Sequence, residues 1–223
     1  MAQAVILEVP SRDKILDAAE PLFARRGFAG VGLREVADAS GLGKSSLFHH
    51  FKSKTELYAA VVGRILNIFD HNLTAALAAG GEPLTRFDRW LDGVVDTFAE
   101  HPTAARLLLR SLFEDDDLTG TSEEERRADE TTRHVLSSLS SLLKEGMQSG
   151  TFRCTDIPHT IQSIMGLTVY HFASGEFGEE LIGRSLFAPA EVKRRKEEVK
   201  TLLYGGLLAP SRRIKNLTRP QPH

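Results

Sequence analysis

The sequence predicts an all-α chain, with a three-helix N-terminal domain followed by a larger helical domain. Three observations predict it. Nearly every apolar pattern recurs at i, i+3, i+4 and i+7, the period of a helix buried on one face. No segment alternates convincingly as a half-buried strand would, and no internal repeat is visible. Hydrophobic residues make up 41% of the 223 residues, enough for a sizeable core, yet no apolar run is long enough to span a bilayer.

The elements follow in chain order. Ile15, Ala18, Ala19, Leu22 and Phe23 form the first helical stripe, which Ser11 can cap and Gly27 can stop. Leu33, Val36 and Ala37 mark a short second helix, Gly41 interrupts it, and Leu47 with Phe51 marks a third. Ser53 to Glu56 has the capping-box spacing and opens a longer fourth helix, which Gly80-Gly81 ends. Pro83 precedes a helix carrying Phe87, Trp90, Leu91, Val94, Val95 and Phe98, and Pro102 suits the first turn of the next, which runs to about Phe113. After an acidic loop from Glu114 to Thr121, a second capping box, Ser122 to Glu125, opens a long helix ended by Gly150. Two more helices are expected over Asp156–Ala173 and Pro189–Leu208. The tail from Pro210 holds four basic residues, no acids and three prolines, and is expected to be disordered.

Composition narrows the function. The formal net charge of -2 shows no chain-wide basic excess, so charge has to be read by segment. A lone cysteine, Cys154, excludes an intrachain disulfide and a cysteine metal cluster. The start, MAQAVILEVP, lacks the basic n-region of a signal peptide, so a soluble, cytoplasmic protein with no membrane partner is expected.

The chemistry concentrates in GLGKSSLFHHF, Gly41 to Phe51. Gly43-Lys44-Ser45 matches the end of a phosphate-binding loop, but the first glycine of that motif would fall at Asp38, and a helix rather than a strand precedes it. His49 and His50 are adjacent, so on a helix they point about 100° apart and chelate one ion poorly. No cofactor and no metal is expected. Duplex DNA fits better. Two short helices meet at a tight turn holding Gly41, and the third helix buries only Leu47 and Phe51. Its other positions are Lys44, Ser45, Ser46, Phe48, His49 and His50, and from Gly41 to Thr55 there are three lysines and no acids. A short helix with a polar, basic, acid-free face suits a major groove.

The stretch REVADASGLGKSSLFHHFKSKTEL, Arg34 to Leu57, resembles the DNA-binding signature of TetR-family regulators. Val36-Ala37, Gly41-Leu42, Leu47-Phe48, His50-Phe51, Lys54 and Leu57 carry the likeness, with FARRGFAG before them. The resemblance implies a homodimer, a helix-turn-helix domain over residues 1–56, and a helical ligand-binding and dimerisation domain over 57–209, with the tail at 210–223. It makes Lys44–Phe51 the recognition helix. Lys44, Ser45, Ser46 and His49 become candidates for base edges; Phe48, His50 and Lys54 become candidates for phosphate, and Arg34 and Lys52 complete the DNA-binding set. The chain departs from the family at Val31-Gly32, Gly43 and Phe48, each of which lacks a hydroxyl that relatives often carry.

The resemblance further implies a repressor that leaves a near-palindromic operator when a small molecule enters the C-terminal domain. The helices at Asp156–Ala173 and Pro189–Leu208 would pair with their copies in the dimer. Candidate ligand residues are Phe87, Trp90, Val94, Phe98, Arg106, Arg110, Phe113, His134, Tyr170, His171 and Phe172. Their bias suits a lipophilic or amphipathic effector, and Arg106 and Arg110, at i and i+4, could anchor an anion or pair on the surface. An enzyme is not expected: Ser141 to Lys144 matches S-x-x-K, but it lies in plain amphipathic helix without companion motifs. The alternative is a TetR-like DNA-binding protein that recruits a protein partner instead of a small ligand.

Overall fold

A computed structural model of the protein describes residues 11–113 and 122–210. The expected acidic loop at 114–121 and nearly all of the basic tail lie outside the described residues. Within them the chain is all-helical: α1 Ser11–Arg26, α2 Leu33–Ala39, α3 Lys44–His50, α4 Lys54–Ala78, α5 Pro83–Glu100, α6 Ala104–Phe113, α7 Glu123–Gln148, α8 Ile157–Ala173, α9 Glu176–Ile182 and α10 Pro189–Leu207. The sequence reading missed α9. It is seven residues long, with Gly178 inside and Gly175 and Gly183 at its ends, and too short to show a helical period.

Side-chain caps start three of the helices. Glu56 N donates to Ser53 Oγ at 3.0 Å, and Glu56 Oε2 accepts from Lys52 N at 2.6 Å. The Ser122 box closes fully on the cap residue itself, through Glu125 N to Ser122 Oγ and Ser122 N to Glu125 Oε2, whereas Glu56 reaches one residue further back. Asp156 caps α8 by accepting from His159 N at 3.0 Å.

Two compact units form. Among the described residues the first takes 11–65 together with 107–113 and 122–129, and the expected helix-turn-helix segment from Arg34 to Leu57 falls inside it. Ile15, Phe23, Val36, Leu47, Phe51 and Leu57 fill its core. Tyr58 sets its ring edge-on to Phe23 at 5.0 Å and Phe28 at 5.3 Å. Arg64 on α4 binds both Asp17 and Glu20 of α1.

The second unit takes 66–106 and 130–210. Here α5 packs on α8 and α10. A polar ladder runs down the α5–α10 seam: Asp88 accepts from the Tyr204 hydroxyl, Asp92 pairs with Lys200 at 2.7 Å and Asp96 with Lys196 at 2.6 Å. Rising numbers on α5 meet falling numbers on α10, so the two helices run antiparallel. Met165 and Tyr170 of α8 and Leu202 of α10 are exposed, and Gly166, Gly205 and Gly206 face open space.

Burial pushes the Asp88 carboxyl up to about 6; Lys200 opposes the rise and Asp92 adds to it. A carboxyl raised above its unfolded value favours folding most when protonated, so this contribution fades as pH climbs from about 4 through about 6. Asp88→Asn keeps an acceptor for Tyr204 and removes the titration. Chemical denaturation of both proteins across that pH range should show the wild type losing stability relative to the variant as pH rises.

Candidate nucleic-acid interface

The interface is built on the turn between α2 and α3. Gly41 has φ +68° and ends α2: its N–H donates to Asp38 O, and Leu42 N donates to Ala37 O, both at 3.2 Å. These are the two bonds of a Schellman ending, which needs a left-handed residue that glycine supplies without strain. The turn aims α3 away from α2. Leu47 and Phe51 are fully buried beneath it, each contributing roughly 1.5–3 kcal/mol of apolar burial.

What remains on the outside is a polar and basic surface with one aromatic ring. Lys44, Ser45, Phe48 and His49 are exposed, and Ser46 and His50 are half-buried. Lys44 Nζ lies 5.6 Å from the Phe48 ring centre, and Phe48 is 40% exposed. Arg34 on α2 and Lys52 after α3 are exposed as well. Lys54 is half-buried with its Nζ 4.2 Å from the Phe28 ring centre, so its charge is held at the start of α4, where backbone N–H groups also favour an anion. Gly32 and Gly43 cap α2 and α3 without a side-chain bond, a loss that glycine limits to a few tenths of a kcal/mol.

Several contributors were not anticipated. Arg26 holds Glu35 at 2.6 Å and also donates to Gly30 O, tying the end of α1 to α2 and neutralising an acid near the face. Arg12 sits 5.3 Å from the Phe51 ring centre and pairs with Glu124 at 2.7 Å. The arginine pair in FARRGFAG was the only sequence signal for Arg26 and did not name its partner, and nothing in the sequence singled out Arg12.

Of the effector candidates, the structure brings together some and separates others. Phe87, Trp90, Val94, Phe98, His171 and Phe172 are all buried. Ring contacts link Phe87 to Trp90 at 5.6 Å, Phe98 to Phe172 at 5.6 Å and His171 to Phe172 at 4.8 Å, and they add Phe69, Phe152 and Phe187, which were not expected. Burial, then the Arg195 charge, pushes the His171 imidazole down to about 4, so it is neutral near pH 7. Five expected members stand apart from this cluster. Phe113 is 84% and Tyr170 58% exposed, because each lies on the outward face of its helix. His134 is exposed and holds Asp70 at 2.5 Å. Arg110 donates to Ala24 O and Arg25 O at 3.2 and 3.3 Å, satisfying carbonyls at the end of α1. Arg106 is exposed, with its guanidinium beside Gly175.

Comparison with known proteins agrees with this geometry. The family described as bacterial regulatory proteins, tetR family, matches residues 15–61, and the family of tetracyclin repressor-like C-terminal domains matches residues 83–202. The transcriptional regulator RutR of Escherichia coli K12 is 26% identical over 201 residues, covering 86% of this chain and 88% of RutR. Two solved structures share the fold. AibR, in complex with isovaleryl coenzyme A and operator DNA, superposes with a TM-score of 0.68 at 18% identity, covering 86% of this chain and 97% of AibR. FadR of Bacillus subtilis, in complex with stearoyl-CoA, gives 0.65 at 17% identity, covering 87% and 98%.

Phe48 is the most direct probe of the face. Restoring a hydroxyl with Phe48→Tyr adds a donor for a phosphate oxygen, a charged-acceptor bond of about 1.5–3 kcal/mol that partial solvation reduces. Titrating a specific and a non-specific duplex at matched salt should show both tightened about three- to tenfold with the preferred sequence unchanged, since phosphate contacts carry no sequence information. No gain on either duplex would mean that residue 48 does not reach the backbone.

Proposed function

The chain belongs to the TetR family of DNA-binding transcriptional regulators, which are not enzymes, and from that premise we propose that it is a homodimeric repressor released from a near-palindromic operator by a lipophilic or amphipathic small molecule. The observation that carries the DNA half is the division of α3: Leu47 and Phe51 anchor it, and Lys44, Ser45 and His49 are left facing outward. In this reading α3 enters the major groove, Lys44, Ser45, Ser46 and His49 meet base edges, and Arg34, Phe48, His50, Lys52 and Lys54 hold the backbone. A dimer would set the two half-sites about one helical turn, roughly 34–36 Å, apart.

Support for the dimer is the outward face of α8 and α10. Exposed Met165, Tyr170 and Leu202 supply apolar area, and Gly166, Gly205 and Gly206 allow close backbone approach. Support for the effector comes from two directions. The buried rings around Phe98 and Phe172 form an apolar interior in the C-terminal unit. AibR and FadR, of the same fold, are described with isovaleryl coenzyme A and stearoyl-CoA. The effector class we favour is therefore an acyl thioester of coenzyme A, its acyl chain among Phe87, Trp90, Val94, Phe98 and Phe172. Phe177 and Leu181 of α9, 60% and 76% exposed, favour the second reading, in which a protein partner docks there in place of a small ligand.

The test titrates short-, medium- and long-chain acyl-coenzyme A thioesters onto the protein–operator complex. Coupling between two sites is typically about 1–3 kcal/mol, so one chain-length class should weaken the complex roughly 5- to 150-fold. Trp90→Phe, which trims the ring without emptying the site, should reduce that response while leaving effector-free DNA binding unchanged. No release by any thioester would remove this effector class and favour the protein-partner reading.

A further inference from the structure

Away from the aromatic cluster, α4, α5 and α7 enclose an open groove of about 250 Å³. Leu77 and Leu142 give it apolar walls, and Arg86 and Glu145 stand on one side. Ser137 and Ser141 also line it; their hydroxyls donate to His134 O and Ser137 O within α7, so toward the groove they offer lone pairs rather than protons. Ser138 lines it too and adds a hydroxyl, and the charged donor is Arg86. Its guanidinium is mostly buried and bonds Glu145 Oε1 through one terminal nitrogen, while its Nε is buried with no hydrogen-bond partner. A buried donor left unmatched has already lost its water, so an acceptor oxygen that reaches this guanidinium gains a charge-assisted bond without a second desolvation cost at the arginine. Glu145 holds its place weakly. Its side chain is half-exposed, and pairs of that kind contribute little, so it can turn out to solvent and yield its position.

We propose that this groove is a binding site for a small carboxylate with an apolar body, the carboxylate taking the place of Glu145 on Arg86 and the body lying between Leu77 and Leu142. The volume sets the size. It is roughly eight times the ~30 Å³ share of a liquid water, which suits a short aliphatic or single-ring acid and is too small for a coenzyme A thioester. The Arg86 charge sets the orientation, because it draws the carboxylate to its side of the groove. The site does not depend on the effector assignment above: its residues are other than those of the aromatic cluster, and its ligand is smaller and charged.

The test is calorimetric titration of the full chain with sodium hexanoate, with 1-hexanol as the uncharged comparator. Hexanoate should bind saturably and at least about tenfold more tightly than hexanol, as expected when a charged hydrogen bond is added. Arg86→Met should bring hexanoate down to the level of hexanol. Glu145→Gln removes the competing carboxylate and should tighten hexanoate about threefold, the scale of a partly exposed ion pair. If Arg86→Met fails to fold, Ser141→Trp carries the test: position 141 is exposed on α7, and the indole fills the groove, so hexanoate binding should disappear while thermal stability stays unchanged. Absence of saturable hexanoate binding, or binding equal in the wild type and in whichever groove variant folds, would overturn the assignment.

Discussion

Everything that this protein does to DNA depends on burying Leu47 and Phe51. The helix that carries Leu47, with Phe51 as its C-cap, has seven residues, about 10 Å of rise, and an isolated helix below about 12–15 residues is marginal in water. It has no side-chain cap at Gly43. Tertiary packing therefore makes α3 a helix at all, and that packing is confined to one side. The same division settles which residues face outward. Lys44, Ser45, Phe48 and His49 are presented because the positions between them are pulled into the core.

Charge arrangement then makes the face suited to a polyanion. The chain as a whole is slightly acidic, so attraction has to come from local placement. Between Gly41 and Thr55 there are only lysines among the fixed charges, and two of the acids near this stretch are occupied while Asp38 stays exposed. Glu35 is held by Arg26, and Glu56 is turned back to accept from the Lys52 N–H. Arg12 and Arg110 brace the same unit from other segments, one against the Phe51 ring and Glu124, the other on the terminal carbonyls of α1. Rigidity in the first unit and positive charge at its surface thus share residues, as positioned recognition requires.

The helices of the fold were legible because their signals are local. Period, caps and stops gave α1 through α8 and α10, and Ser53, Ser122 and Asp156 act as caps in the structure. The turn at Gly41 was legible for the same reason, since a left-handed ending has one favoured residue. Partners across the chain were not. Arg106 and Arg110 share a helix face, and spacing alone could not say that one meets Gly175 and the other Ala24. Phe113 and Tyr170 read as effector-lining by residue type, yet each lies on an outward face, because hydrophobicity states a preference and helix orientation decides the outcome. The rings Phe69, Phe152 and Phe187 came from segments with no motif, and only the fold brings them to the cluster.

The claim on which the account rests is that two copies of the α3 face read duplex DNA. Selection of bound molecules from a pool of random-sequence duplexes measures this most directly. The account predicts an enriched, two-fold symmetric sequence with half-sites about one helical turn apart, in which His49→Ala relaxes the preference at one position per half-site and Leu47→Ala abolishes enrichment. An enriched sequence without symmetry, no enrichment at all, or enrichment that survives Leu47→Ala unchanged would contradict it.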